Sequence, residues 1–133
     1  MRSSNTSAQL VYQKSLALKD LSNAIANYFS YDGNFFSYDQ KLGLRNDIAY
    51  ALLIDASLIA VTVEQATKSS SKTLRNKNLT FVNVMTRNIL SYCNGLEKDG
   101  VKEKEYINLL RREIKVFRKS FKQWRKSLII SDD

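Results

Sequence analysis

Apolar residues recur at intervals of three and four along four stretches of this chain, which is the spacing of one face of an α-helix. The stretches cover residues 8–29, 39–68, 71–94 and 102–128. The inward faces that we expect on the first and third helices are Leu18, Leu21, Ile25 and Tyr28, and Leu79, Val82, Ile89 and Cys93. The second stretch is apolar almost all round, which predicts that it is the most buried helix.

Short links between the later stretches predict that consecutive helices pack antiparallel. We therefore expect an all-α protein with an up-down four-helix bundle. A single domain should cover residues 1–133, with frayed ends at about 1–7 and 130–133. The tripeptide Asn94-Gly95-Leu96 resembles a left-handed helix cap followed by an apolar contact, so it predicts the end of the third helix.

The fourth stretch combines an apolar row with a basic row. The apolar residues lie at alternating steps of three and four, an unbroken heptad pattern: Ile107, Leu110, Ile114, Phe117, Phe121, Trp124 and Leu128. The cations Arg111, Lys115, Arg118, Lys122 and Arg125 repeat the same spacing one residue later, and Arg112, Lys119 and Lys126 form a third row. One residue is about 100° of helical rotation, so the apolar and basic rows should lie side by side.

The charge of this stretch is one-sided. Glu113 is the single acid among eight cations between Asn108 and Leu128, and the chain as a whole carries a net charge of +8. Exposed helices usually mix signs because like charges on one face repel. Evenly spaced Lys and Arg suit a phosphate backbone, so we expect nucleic-acid contacts at these eight cations and no base-specific reading.

Other interpretations of the basic residues remain open. The row could be an ordinary solvated face, it could dock an acidic protein, or it could lie on an anionic membrane. A second, looser group could extend the row if the third and fourth helices are neighbours: Lys72, Arg75, Lys77 and Arg87.

Aromatic residues cluster at two places. Phe117, Phe121 and Trp124 favour a role in the core or in a subunit interface over base stacking, because they lie in the heptad row. The link around 28–38 is aromatic-rich and could close one end of the bundle or form a partner surface. Asp55 interrupts the most apolar helix and needs a partner, either Arg87 or a neighbouring subunit.

Nothing in the sequence indicates enzyme chemistry. The chain has no histidine and one cysteine, which removes the commonest general base and zinc ligand. We therefore predict no catalytic residues, no metal site and no cofactor. The start of the chain has no apolar signal-peptide core, and the apolar run 48–61 is short and contains a carboxylate. We expect a cytoplasmic protein that does not enter the membrane.

Three segments resemble the accessory variability determinant (Avd) family of diversity-generating retroelements. They are Phe-Ser-Tyr-Asp-Gln-Lys-Leu-Gly-Leu-Arg at 36–45, Glu-Gln-Ala-Thr-Lys at 64–68, and Val-Lys-Glu-Lys-Glu-Tyr at 101–106 with Trp124 eighteen residues later. The similarity covers about residues 18–128 and is a pattern of residue types. Bundle proteins encoded within intervening sequences of ribosomal RNA genes are a related alternative.

The resemblance implies a function that the residue pattern alone does not give. Members form homopentameric rings with a basic surface, bind the retroelement's reverse transcriptase and bind RNA or an RNA–DNA hybrid. They support mutagenic cDNA synthesis and catalyse nothing themselves. A helical adaptor that docks an acidic protein partner stays as the alternative function.

Overall fold

The computed structural model describes residues 2–30 and 40–132, which form four helices. Helix α1 spans Arg2–Ser30, α2 spans Gln40–Lys68, α3 spans Lys72–Lys98 and α4 spans Lys104–Asp132. Over these two ranges there is no strand, so the all-α prediction is confirmed for the described residues. The predicted bounds are correct to within six residues.

Contacts near the helix ends show that neighbouring helices run antiparallel. Tyr28 near the end of α1 meets Tyr106 near the start of α4, with ring centroids 5.0 Å apart. Arg45 near the start of α2 donates from Nε to Asp99 Oδ2, just beyond α3, at 2.5 Å. The helices pack in the order α1, α2, α3, α4 around the bundle, and the α3–α4 interface is the least extensive. This arrangement is a four-helix bundle.

The apolar row of α4 lies in the core, as its spacing predicts. Ile107, Leu110, Ile114, Phe117, Phe121 and Trp124 are all buried, and the predicted row of α3 is buried too. The predicted face of α1 is partly wrong, because Tyr28 is 49% exposed. The inward row of α1 instead includes Val11, Leu18, Ile25 and Phe29, with the small residues Ser15 and Ser22 between them.

Helix α2 buries one face and exposes the other, although its sequence is apolar almost all round. Leu52, Ile59 and Val63 are fully buried. Its outward-facing residues Tyr50, Ile54, Leu58 and Val61 are 39–67% exposed. The reason is its position in the bundle, where it packs on α1 and α3 only. When a helix is apolar on all sides, its sequence does not predict which face packs against another helix.

Helix α2 is also long and apolar enough to cross a bilayer, by length and composition, over Gly43–Lys68. Among the described residues it is the one helix that meets this criterion. The core helix of a bundle meets the same criterion, because burial in protein and burial in lipid select the same side chains.

The carboxylate within α2 is bound by α3. Tyr92 donates its hydroxyl to Asp55 Oδ2 at 2.7 Å, and Asn88 donates from Nδ2 at 3.3 Å. The expected pairing with Arg87 is therefore wrong, since Arg87 is exposed on another side of α3. Burial, with the hydrogen bond to Asp55, raises the pKa of Tyr92 to about 12.

Helix α3 ends four residues beyond the predicted cap. The backbone N–H of Gly100 donates to Glu97 O at 3.1 Å, and that of Val101 donates to Leu96 O at 3.3 Å. These two bonds form a Schellman motif, with Gly100 at a φ of 83° and an apolar pair of buried residues, Leu96 and Val101. Gly95 is helical instead, and a Cβ there would lie 3.1 Å from Ile48 Cδ1 of α2.

Two glycine substitutions should change stability in opposite directions. Gly100→Ala places a Cβ in the left-handed region and should lower the free energy of unfolding by about 1 kcal/mol. Gly43→Ala adds a methyl group where no atom lies within 4 Å on an exposed part of α2, and should raise it by about 0.5 kcal/mol. Urea unfolding of both variants measures the pair, and a stabilised Gly100→Ala protein would contradict the motif.

Candidate nucleic-acid interface

Burial of the apolar row fixes which side of α4 its cations occupy. Arg112, Lys115, Lys119, Lys122, Arg125 and Lys126 are exposed, and Arg118 is partly exposed. We call these seven residues the basic face. The heptad position of each cation sets how far it is rotated around α4 from the buried apolar row.

Arg111, the eighth predicted cation, is held by α3. Its Nη1 donates to Glu97 Oε2 at 2.6 Å and to Asn108 Oδ1 at 3.3 Å, and its Nη2 donates to Asn94 Oδ1 at 2.8 Å. The hydrogen bond from Arg111 and then its charge lower the pKa of Glu97 below the ordinary glutamate value. Arg111 is therefore neutralised at its end of the helix, and we leave it out of the basic face.

The seven cations of the basic face make no ion pair with the residues that the structure describes. Arg125 contacts protein through its guanidinium carbon, which lies 5.7 Å from the centroid of the Phe121 ring. At 1.5 Å per residue, Arg112 to Lys126 covers about 21 Å of helix. The basic face is therefore a strip about 21 Å long whose cations span about 140° of rotation around α4.

One side of α3 borders this strip. Because Asn94 accepts from Arg111, the side of α3 that carries Asn94 faces α4. Three residues of α3 lie within about 20° of Asn94 around the helix, because they precede it by 18, 11 and 7 residues. They are Asn76, Asn83 and Arg87. Arg118 follows Arg111 by seven residues, so Arg87 and Arg118 lie level across the antiparallel pair. Arg87 therefore extends the basic strip onto α3.

The other members of the second basic group do not join the strip equally. Lys72 is exposed on the side that faces α4, within about 40° of Asn94, but it lies beyond the last cation of the basic face. Lys77 is exposed about 100° away from Asn94. Arg75 is partly buried and has a partner of its own.

The three aromatic residues of α4 lie inside the bundle. Phe117, Phe121 and Trp124 are 1–3% exposed. The Phe117 and Phe121 rings are stacked at 5.8 Å between centroids, and the Phe121 and Trp124 rings meet at 62° and 6.2 Å. Side chains of this size contribute about 1.5–3 kcal/mol each on burial. They anchor α4 within its own chain and are not accessible to a base.

The structure describes two aromatic residues of the link: Phe29 is buried in the core, and Tyr28 lies beside an apolar groove. Tyr28 lines a groove between α1 and α4 of about 280 Å³. Its other lining residues are Leu21, Ala24, Ile25, Tyr106 and Leu109. We call this the α1–α4 groove. Tyr31, Phe35, Phe36 and Tyr38 lie outside the described residues.

A second apolar surface, which the sequence pattern did not reveal, lies on the opposite side of the bundle. It contains Ile54, Leu58 and Val61 of α2 with Phe81 and Val84 of α3, each at least 39% exposed. Tyr50 lies about 140° around α2 from Asp55 and lines a pocket with residues of α1. Asp55 of α2 is level with Asn88 and Tyr92 of α3, to which it is hydrogen-bonded. Because the two helices run antiparallel, Leu58 and Val61, which follow Asp55, lie level with residues that precede Asn88. Val84 and Phe81 are one to two turns before Asn88 and therefore lie beside them. We call this the α2–α3 apolar face.

Cys93, the one cysteine, is fully buried in the core, as its place on the α3 row predicts. Burial raises the pKa of its thiol to about 11, so it carries little thiolate at neutral pH. No cluster of three or more potential metal-ligating side chains occurs among the residues described.

Comparisons with protein-family models, with curated proteins and with solved structures found no match to this chain.

Removing the Arg111 side chain should release the Glu97 carboxylate. In Arg111→Gln the pKa of Glu97 should rise toward the ordinary glutamate value, because both the hydrogen bond and the positive charge are lost. A carbon-detected NMR titration of the Glu97 side chain measures the change. Lys115→Gln removes a charge from the same helix without touching Glu97 and should leave its pKa nearly unchanged.

Proposed function

We propose that this chain is a non-enzymatic accessory protein that binds nucleic acid through the basic face of α4. The observation that carries the proposal is the strip of seven cations that no described acid neutralises. Like charges at helical spacing repel one another, so the strip is best satisfied by a polyanion. The strip extends along about 21 Å of α4, which suits a sugar–phosphate backbone more than a compact anion.

Binding at such a surface gains free energy from the release of counterions that are condensed on the nucleic acid. Each cation that neutralises a phosphate steepens the dependence of affinity on salt. If all seven do so on a duplex, log K should fall against log salt with a slope of about −6 per chain. The contacts reach phosphates and not base edges, so binding should show little sequence preference.

The resemblance to the Avd family supports a specific setting for this activity. We propose that the protein acts in the cytoplasm, that it binds the reverse transcriptase of a diversity-generating retroelement, and that its nucleic acid is the template RNA or an RNA–DNA hybrid. Its contribution to mutagenic cDNA synthesis would be to hold the nucleic acid near the polymerase. The basic face supplies the binding surface that such a role needs.

Reversing two charges on the basic face should abolish most of the binding without unfolding the protein. Lys115 and Lys122 are both exposed, so Lys115→Glu/Lys122→Glu should keep the wild-type circular dichroism and thermal unfolding midpoint. Its RNA affinity should fall at least about tenfold in 150 mM salt, and its salt slope should decrease by about two. Fluorescence anisotropy with labelled RNA measures both.

A charge-matched variant controls for net charge. Lys19→Glu/Lys77→Glu makes the same change in total charge on α1 and on the far side of α3, and it should retain affinity within about threefold. Equal losses in the two double variants would mean that the total charge matters and the basic face does not. Unchanged binding by Lys115→Glu/Lys122→Glu would rule α4 out as the contact surface.

We also propose that copies of this chain assemble, and that the pentamer implied by the resemblance is the assembly formed. The support is a pair of apolar surfaces on opposite sides of the bundle, the α2–α3 apolar face and the α1–α4 groove. Exposed apolar surface of this kind marks a contact site. A contact between two different surfaces is head-to-tail, and it closes into a ring when the rotation between copies allows it.

A charge in the α2–α3 apolar face should prevent assembly. Ile54→Glu/Val61→Glu puts two carboxylates where the neighbouring copy would bury them, so native mass spectrometry should show a monomer in place of the wild-type ring. Gln13→Glu, on the exposed side of α1 about 160° around the helix from the buried Val11, should still assemble. A wild-type protein that is monomeric at micromolar concentration would contradict the proposal.

A second candidate function is a protein adaptor whose basic face docks an acidic partner. The same two exposed apolar surfaces favour it, because they could receive a protein other than a second copy. Both candidates bind the reverse transcriptase, and they differ in their affinity for naked RNA. An adaptor should bind naked RNA only weakly in 150 mM salt, whereas the nucleic-acid-binding protein should bind it with a steep dependence on salt.

A further inference from the structure

Single-stranded and double-stranded nucleic acids are held by different side chains, and the basic face contains only one of the two sets. Proteins that bind single strands without sequence preference stack successive bases on exposed aromatic rings, at about 1–3 kcal/mol per base. Double-stranded backbones are bound through phosphates and shape, without stacking.

No exposed ring lies on the basic face among the residues that the structure describes. The rings of α4 that could serve are those of Phe117, Phe121 and Trp124, and the core buries them. The large exposed rings are elsewhere among the described residues: Tyr28 lines the α1–α4 groove, Tyr50 lies beside α1, and Phe81 lies on the α2–α3 apolar face. Phe81 is about 140° around α3 from the side that faces α4.

The shape of the basic face also suits a double helix. Its seven cations cover about 21 Å of α4 and span about 140° of rotation around it. A double helix carries a row of phosphates on each side of a groove, so a band of cations of this width can reach both rows. A single strand offers only one row.

The seam between α3 and α4 adds polar groups beside this strip. Asn76, Asn83 and Arg87 share the side of α3 that borders α4, and the α3–α4 interface is the least extensive in the bundle. Asparagine amides both donate and accept hydrogen bonds, so they can pair with phosphate oxygens or sugar hydroxyls. The polar surface therefore spans two helices, with Arg87 level with Arg118.

We propose that the α3–α4 seam binds double-helical nucleic acid by its backbone in preference to a single strand, with Arg87 contributing from α3. The proposal rests on the proposed function and specifies the form of nucleic acid bound at the same surface. For the role in cDNA synthesis, it means that the protein holds the paired region and leaves the unpaired template free.

The first experiment compares two ligands at equal phosphate concentration, a 20-base-pair RNA duplex and an unstructured 20-nucleotide oligouridine. Anisotropy titrations in 150 mM salt should show the duplex bound about tenfold more tightly. Oligouridine that binds as tightly as the duplex, or more tightly, would overturn the preference while leaving the proposed function in place. Absence of salt-dependent binding to either ligand would overturn the proposed function, and the preference with it.

The second experiment tests the contribution of α3 with two variants of the same helix. Arg87→Glu should weaken duplex binding about tenfold, whereas Lys77→Glu, about 100° from Asn94, should change it less than about threefold. Both residues are exposed, so neither substitution should disturb folding, which circular dichroism checks. Equal effects of the two variants would remove α3 from the binding surface, even if the preference for duplex holds.

Discussion

Burial of one face of α4 is the interaction on which the rest of this structure depends. Phe117, Phe121 and Trp124 each contribute about 1.5–3 kcal/mol by leaving water. Repulsion between neighbouring cations on the same helix costs only about 0.2–0.5 kcal/mol per pair. Burial of the apolar residues therefore sets the rotation of α4 about its axis. The cations lie on the side of the helix that is left exposed to solvent. A basic strip is the consequence, because each cation stands a fixed rotation from an apolar residue.

The pair of Arg111 and Glu97 shows how a weak interaction can still define a surface. Its side chains are 27% and 45% exposed, so solvent screens the pair and its contribution to stability is small. It nevertheless bridges the least extensive interface of the bundle and shows which residues of α3 and α4 lie level with each other. That alignment places Arg87 opposite Arg118. The same bond neutralises one end of the cation row, so the accessible strip begins at Arg112.

Local spacing predicted what depends on one helix, and it failed where two helices meet. The four helices, the buried row of α4 and the cation rows all follow from periodicity within a single segment. The contact of Arg111 with Glu97 joins positions fourteen residues apart across a turn. Predicting it requires knowing which residues of two helices lie level with each other, and periodicity within one helix does not give that.

The exposed side of α2 could not be predicted for a related reason, since Tyr50 and Leu52 are both apolar and only packing distinguishes them. The error in the predicted cap of α3 has a local cause, because Gly95 and Gly100 both suit a helix end. Gly95 lies inside the helix, where a Cβ would come within 3.1 Å of Ile48.

The three surfaces of this bundle lie on different sides, so the proposed assembly and the proposed nucleic-acid binding would not compete. The helices follow one another around the bundle, so the α2–α3 apolar face and the α1–α4 groove lie on opposite sides, and the α3–α4 seam lies between them. Copies joined through the two apolar surfaces would all turn the seam in the same direction relative to the ring. Several strips held side by side raise the effective concentration of cations at one nucleic acid, so a weak contact per chain becomes strong binding by the assembly. Under this proposal, a chain that is basic on one side and apolar on two others would gain more nucleic-acid affinity from assembling than from adding cations to α4, because added cations on one helix repel each other further.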